Sequence, residues 1–180
     1  MNSHEYLTEL EISYNQVTNS MLGKISSAFI KVPSLSRLSL KGNLIGGPSK
    51  SSNKSLDYFL QRVNQDLDLR SLDLSDNLIC NENVIILVKN VLAADPDKCK
   101  LKELQLNDSK LTDYGHRTLL KAHSLSKLRG VLDLQHNPLP LQENLIRTAA
   151  RDEKYEMKIT RRGIKRELKP MPWRTSACSR

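Results

Sequence analysis

Residues that could perform catalysis or hold a metal are few and widely spaced in this 180-residue sequence. His116 and His123 lie seven residues apart in one predicted helix, with Asp113 one turn before the first histidine. Metal-binding histidines on a helix are usually spaced three or four residues apart, so this spacing favours a structural or surface role. Asp95 and Asp97 flank a proline, which indicates turn and capping chemistry at a helix end.

No nucleophile, base and orienting residue can be assembled from the remaining candidates. The sequence lacks H-E-x-x-H, G-x-S-x-G, G-x-G-x-x-G and the phosphate-binding G-x-x-x-x-G-K-S/T. Its cysteines, Cys80, Cys99 and Cys178, form no C-x-x-C pair, and an odd count without a secretion signal favours reduced thiols. Cys80 follows an apolar residue and is expected to be half-buried. We predict no enzymatic activity, no cofactor and no metal site.

Five segments repeat one frame of leucines, beginning at positions 7, 35, 69, 101 and 129. Each reads L-x-x-L-x-L-x-x-N/S-x-L with small variations, and Arg129 replaces the first leucine of the fifth copy. Side chains alternate along a strand, so the leucines face one side and the intervening residues face the other. One strand cannot bury its apolar side, whereas stacked copies build a continuous core.

This frame resembles the leucine-rich repeat, and the resemblance covers about residues 7–139. In such repeats the short amides at the ninth position stack into a ladder that satisfies backbone groups of the turns. The predicted ladder comprises Asn15, Asn43, Asn77, Ser109 and Asn137. Ser109 departs from the pattern, so we expect the ladder to be weakest at the fourth repeat.

The ladder positions are separated by steps of 28, 34, 32 and 28 residues. Such steps leave room for a helix between strands, similar to the ribonuclease-inhibitor-like class. Apolar residues at helical spacing and capping signals predict helices over residues 19–30, 56–63, 83–94 and 112–123, and a closing helix over 141–156. We expect Asn81 or Asn83 to cap the third helix, and Gly23 to weaken the first. Residues 46–55 (GGPSKSSNKS) predict a flexible surface loop, with phosphorylation of its serines as the alternative.

The predicted fold is an α/β leucine-rich repeat solenoid of about five repeats. Parallel strands line its concave face, helices its convex face, and a basic C-terminal extension follows. We place the repeat domain with its closing helix at 1–153 and the basic tail at 154–180, which carries nine Lys or Arg and two Glu. Its net charge of +7 accounts for most of the chain's +8. The first strand begins after six residues, so we expect a partner to cover it or the chain to be truncated.

Two sets of residues are candidates for partner binding. The first set occupies the outward strand positions: Glu9, Glu11, Arg37, Ser39, Lys41, Ser71, Asp73, Ser75, Glu103, Gln105, Asn107, Asp133 and Gln135. The second set lies in the tail: Arg161, Arg162, Lys165, Arg166, Lys169, Trp173 and Arg174. Trp173 is the only tryptophan of the sequence and, beside an arginine, is typical of an interface anchor.

The Pro-Trp-Arg-Thr run at 172–175 resembles the tails of centrosomal and ciliary leucine-rich repeat proteins. Five repeats plus a closing helix are also similar to the tropomodulin family of actin pointed-end cappers. We therefore predict a non-catalytic protein-interaction module, a subunit or adaptor of a larger cytoplasmic assembly, cytoskeletal or ciliary. The alternative is nucleic-acid or ribonucleoprotein binding through the basic tail. No apolar run long enough for a transmembrane segment is present.

Overall fold

The computed structural model of the chain describes residues 6–29, 31–93, 100–125, 131–137, 155–160 and 163–168. Short strands alternate with helices along the leucine-rich part. The strands are β1 (Glu9–Glu11), β2 (Arg37–Ser39), β3 (Ser71–Asp73), β4 (Glu103–Gln105) and β5 (Val131–Asp133). The helices between them are α1 (Asn19–Phe29), α2 (Lys50–Asp66), α3 (Asn81–Leu87), continued by a π-helical turn at Val88–Leu92, and α4 (Asp113–Leu125).

Strands β1 to β5 lie side by side in one parallel sheet, in the order in which they occur in the chain. Their central leucines are in register across all five strands, so that each repeat adds one rung to the same apolar row. That row consists of Leu10, Leu38, Leu72, Leu104 and Leu132. The prediction of a mixed α/β fold with five parallel strands is thus confirmed.

The core lies between the sheet and the helices, and leucine supplies most of it. The first, fourth and sixth frame residues of repeats two to four are buried, as are Leu22, Phe59 and Leu119 from the helices. Successive helices pack on one another, α1 on α2, α2 on α3 and α3 on α4. In the first repeat, by contrast, Leu7, Leu10 and Ile12 are half-buried, because no described strand lies outside β1.

The helices differ from the predicted ones in their bounds, and three of the differences have a clear local cause. Helix α1 continues through Gly23. Helix α2 begins inside the predicted flexible loop, where the Ser49 hydroxyl caps it by accepting a hydrogen bond from the amide of Ser52 at 3.0 Å. Helix α3 is preceded by Cys80 as N-cap residue, not by Asn81 or Asn83.

Two further strands follow the repeats in the sheet. β6 (Tyr155–Thr160) and β7 (Gly163–Leu168) form an antiparallel hairpin, and β7 pairs antiparallel with β5, so the sheet order is β1-β2-β3-β4-β5-β7-β6. The predicted closing helix over 141–156 was therefore wrong at its last two residues, which begin β6. Residues 141–154 lie outside the described part of the chain.

Candidate protein-binding face

The outward positions of the five strands form two straight rows, because the strands are parallel and in register. The residues two positions after the end of each strand form a third row. We call the three rows together the strand face. The first row is Glu9, Arg37, Ser71, Glu103 and Val131. The second row is Glu11, Ser39, Asp73, Gln105 and Asp133. The third row is Ser13, Lys41, Ser75, Asn107 and Gln135.

Polar contacts between neighbouring strands hold the first row in place. The guanidinium of Arg37 forms an ion pair with Glu9 at 3.2 Å, and about two thirds of each side chain is exposed. The carboxylate of Glu103 accepts one hydrogen bond from the Ser71 hydroxyl at 3.1 Å and another from the Gln105 amide at 2.9 Å. Both carboxylate oxygens are engaged, so Glu103 is positioned before any partner arrives.

A shallow depression of about 460 Å³ lies over strands β1 to β4 on this face. Leu10 and Leu38 belong to its lining, and the rest of the lining is polar or charged. The strand face carries the acids Glu9, Glu11, Asp73, Glu103 and Asp133 and the bases Arg37 and Lys41. Five negative and two positive charges give a net charge of −3, so the face complements a positively charged partner.

Two of the predicted contact residues are unavailable to a partner. Ser75 is 1% exposed, and its hydroxyl accepts a hydrogen bond from the amide of Asn107 at 3.1 Å. Asp133 is 6% exposed, and its carboxylate accepts hydrogen bonds from Gln135. Both side chains are engaged in hydrogen bonds at the ends of the strands. The prediction that they contact a partner is therefore corrected.

The ninth frame position holds the turns together from one repeat to the next. The side-chain amide of Asn77 donates to the carbonyls of Leu40, Leu74 and Ser75 at 2.9, 3.1 and 3.0 Å, and its oxygen accepts from the amide of Ile45 at 3.0 Å. Asn43 and Asn137 donate to the equivalent carbonyls in the same way. Each asparagine thus joins its own turn to the turn before it.

The ladder changes at two positions. Asn15 is exposed, and its side chain donates to the carbonyl of Ser13 at 2.8 Å, within its own turn. The Ser109 hydroxyl and the side-chain oxygen of Asn137 are both buried, and neither hydrogen bonds to an atom of the described part of the chain. A serine is too short to reach the carbonyls that Asn77 reaches, which leaves the fourth turn under-bonded.

Tyr14 borders the strand face and was not among the residues predicted to contact a partner. Its ring is 63% exposed, lies against Gly42 and has the ammonium nitrogen of Lys41 6.0 Å from its centroid. The residue before each ladder position has a positive φ, and Gly42, the equivalent residue of repeat two, leaves room for this ring. The signal in the sequence was an aromatic residue at a frame position that otherwise holds Gly, Asp, Asp and His.

The candidate catalytic and metal-binding residues that the structure describes are buried or half-buried parts of the fold. His116 and His123 belong to α4, and both are fully buried. Burial lowers the pKa of His116, opposed by backbone contacts at Thr112 and Leu134 and by the charge of Asp113. Cys80 is half-buried as expected, and burial together with Glu82 raises the pKa of its thiol. Such a thiol is a poor nucleophile.

Most of the predicted tail contacts fall outside the described residues, namely Arg161, Arg162, Lys169, Trp173 and Arg174. Lys165 and Arg166 lie on β7, where their backbones pair with Asp133 and Leu132. The structure therefore brings part of the basic segment to the edge of the strand face at β5. Asp95, Asp97, Cys99 and Cys178 also lie outside the described residues.

Comparison with known proteins agrees with this geometry at one end of the chain. A family model described as Leucine Rich repeat matches residues 3–20, which include β1 and the first turn. No curated protein gives a significant match to the chain. The family match, in a chain with five parallel strands in one sheet, supports a leucine-rich repeat protein. Leucine-rich repeats are in general non-enzymatic interaction modules, so the family match suggests a module for protein–protein interaction.

Within the described residues, histidine, cysteine and acidic side chains form no group of three or more that could hold a metal ion. No helix in that part of the chain is both long and apolar enough to cross a membrane.

Proposed function

We propose that the protein is a non-catalytic interaction module, a subunit or adaptor of a larger intracellular assembly, and that it binds a protein partner on its strand face. The observation that supports this proposal most is the continuity of that face. Five strands in register present rows of polar and charged side chains, in which Val131 is the apolar member, while their leucines fill the core. A surface of this width can contact a partner over several repeats at once.

Charge sets the orientation of the partner in this proposal. The first row begins with the Glu9–Arg37 ion pair and continues to the fixed carboxylate of Glu103, so a docking segment meets positive and negative charges in a defined order. Such complementarity contributes more to specificity and association rate than to affinity. Large apolar anchors are scarce on the strand face, apart from Tyr14 at its border, so its affinity is modest.

The finer classification is also proposed. We place the chain in the ribonuclease-inhibitor-like class of leucine-rich repeat solenoids, because a helix follows each of the first four strands. We further propose a cytoplasmic location in a cytoskeletal, centrosomal or ciliary complex. That proposal rests on the Pro-Trp-Arg-Thr run at 172–175 and its resemblance to the tails of such proteins.

A matched pair of charge reversals tests the strand face. Glu11 is exposed on the strand face, and Glu82 is exposed on α3, on the helix side. Full-length Glu11→Lys and Glu82→Lys proteins, tagged identically, are used to capture partners from native cells, with identification by mass spectrometry. We expect Glu11→Lys to lose a partner that Glu82→Lys and the unmodified chain retain, because this reversal weakens the attraction of the strand face for a positively charged partner. Equal recovery by all three, with folding verified by circular dichroism, would refute the proposed surface.

The second candidate function is nucleic-acid binding through residues 154–180, favoured by their net charge of +7. If phosphate contacts dominate, log K falls steeply and linearly with log salt. Replacing any one tail lysine then weakens binding about as much as replacing any other. If protein contacts dominate, Trp173→Ala costs more than the loss of any one lysine. Fluorescence anisotropy with labelled single-stranded RNA over a salt series separates the two.

A further inference from the structure

The helix side of the repeats carries a groove of about 570 Å³ between the π-helical turn and α4. The two helices are joined at their starts, where the side-chain amide of Asn81 donates to the Thr112 hydroxyl at 2.8 Å. Gly115 allows this approach, because a Cβ at its position would lie 2.5 Å from the side-chain oxygen of Asn81. The groove lies farther along the helices, beside Leu92 and Ala122, and we call it the helix groove.

The walls of the helix groove leave a space that the described part of the chain does not fill. Between α1 and α2, by contrast, the rings of Phe29 and Phe59 pack edge to face with their centroids 6.5 Å apart. The helix groove has Ala93 and Ala122 on its walls, and these side chains are too short to close it. In the π-helical wall the amide of Ala93 donates to the carbonyl of Val88, five residues earlier, at 2.7 Å. Such turns are rare and lie frequently at functional sites.

Two large side chains beside this space are exposed. The Tyr114 ring lines the helix groove and is 60% exposed. Ile85 is 62% exposed and lies one turn before Val88, which also lines the groove, so the two are neighbours on the helix surface. Leu92 lines the groove as well and belongs to the hydrophobic core. Exposed apolar patches that are bordered by polar residues mark interaction sites.

The charged side chains that line the helix groove are both positive. Arg117 and Lys121 lie one turn apart on α4, on the same side as Tyr114. Arg117 forms an ion pair with Asp113 of its own helix and keeps about a third of its side chain exposed, and Lys121 is exposed. Among the described residues, no acidic side chain lines the groove. A partner's carboxylates are therefore attracted to this edge, whereas its lysines and arginines are repelled.

The walls also decide the backbone conformation of an occupant. Both walls are helical, so their backbone amides and carbonyls are hydrogen-bonded within the helices. The Thr118 hydroxyl in the lining is engaged too, because it donates to the carbonyl of Tyr114 at 2.9 Å. An extended segment would leave its own amides and carbonyls unpaired here. A helix satisfies them internally and presents apolar side chains to the groove at positions i, i+3, i+4 and i+7.

We propose that the helix groove binds an amphipathic helix of a protein partner. This helix inserts large apolar side chains between Leu92 and Ala122 and places acidic residues beside Arg117 and Lys121. The helix groove and the strand face lie on opposite sides of the sheet, so the inference does not rest on the proposed function of the strand face. The chain then offers two separate docking surfaces.

An NMR titration of the full-length protein with a designed peptide tests this inference. The peptide has about 18 residues, enough to be helical in water, with leucines at i, i+3, i+4 and i+7 and glutamates on the flanks. A twin peptide carries lysine in place of every glutamate. We expect the acidic peptide to bind with a Kd below about 1 mM and to shift the amide signals of Val88, Leu92 and Ala122 most strongly. The lysine twin should bind there at least roughly fivefold more weakly.

Two matched pairs of variants locate the site by affinity. Tyr114→Ala removes the aromatic ring of the lining, and Tyr58→Ala removes a similarly exposed tyrosine from α2. Lys121→Glu reverses a charge at the helix groove, and Lys24→Glu reverses an exposed charge on α1. We expect each groove variant to raise the Kd of the acidic peptide roughly fivefold and each control to leave it unchanged.

Three kinds of result would overturn the inference. The first is an acidic peptide that does not bind, or that shifts amide signals outside the helix groove instead. The second is equal affinity of the two peptides, or equal losses in the groove variants and their controls. The third is a shift of the groove amides when the concentration of the protein alone is raised, which would place a second copy of the chain in the groove.

Discussion

Asn77→Ala should be among the most destabilising single polar substitutions in the repeats. Asn77 is 3% exposed, and its two amide hydrogens are shared among three carbonyls while its oxygen accepts from Ile45. That amounts to about three buried hydrogen bonds at about 1 kcal/mol each, a loss of about 3 kcal/mol of unfolding free energy. A domain of this size has about 5–15 kcal/mol in total, so the loss is a large fraction of its stability.

Urea unfolding followed by circular dichroism measures this loss, and Asn15→Ala is the matched control. Asn15 occupies the same frame position but is exposed and bonds within its own turn, so we expect its replacement to cost less than about 0.5 kcal/mol. With a urea m-value of about 2 kcal/mol/M, Asn77→Ala should lower the midpoint by about 1.5 M. Equal costs at the two positions would show that the ladder between turns does not stabilise the fold.

Four further substitutions or conditions are expected to change stability. Ser109→Asn should raise the unfolding free energy by about 1–2 kcal/mol by completing the fourth turn, measured by urea unfolding, and no gain would contradict the under-bonded turn. Gly46→Ala should cost at least about 2 kcal/mol, because φ is +101° and a Cβ would lie 2.8 Å from the carbonyl oxygen of Leu78. Gly23→Ala, inside α1 with open space around its Cα, should instead stabilise by about 0.5–1 kcal/mol in the same assay. Burial lowers the pKa of His116 in the folded protein below its ordinary value of 6.5, so at low pH the unfolded chain binds more protons than the folded chain. The unfolding free energy should therefore be full above pH 6.5 and decrease below it. In thermal melts a His116→Gln variant should show a smaller decrease.

The strands were predictable from sequence because their signal is local and repeated. Leu72 and Leu74 lie two residues apart within a frame that recurs five times, so alternation and period agree. The weak fourth turn was also visible, since Ser109 stands where the other copies hold asparagine. The repeat frame does not predict which outward residues are buried. Ser75 accepts a hydrogen bond from Asn107 of the next repeat, and Asp133 accepts one from Gln135 of its own repeat.

The helix starts were harder because they depend on contacts between repeats. Asn83 looks like an N-cap residue, yet its side-chain oxygen accepts from the amides of both Cys80 and Gly47, which joins α3 to the preceding loop. The π-helical turn after α3 coincides with Asn90, whose side chain donates to Asp57 on α2 at 2.7 Å. Gly47 is 36 residues from Asn83 and Asp57 is 33 residues from Asn90, so neither contact has a local signal in the sequence.

The hairpin after the repeats was misread for a different reason. Residues 155–160 read Tyr-Glu-Met-Lys-Ile-Thr, an alternation of larger apolar and polar residues typical of a strand. The second strand of the hairpin, β7, pairs with β5, which lies about thirty residues earlier in the chain, and pairing at that distance carries no local signal.

The in-register parallel sheet is the central claim, and native-state amide hydrogen exchange by NMR tests it most directly. The amides of Leu40, Leu74 and Leu106 each donate to a carbonyl of the next repeat, at 2.9, 3.0 and 2.8 Å. We expect all three to exchange in the slowest class, with opening free energies near that of global unfolding. Rapid exchange at these amides in the folded protein would contradict the side-by-side arrangement of the strands.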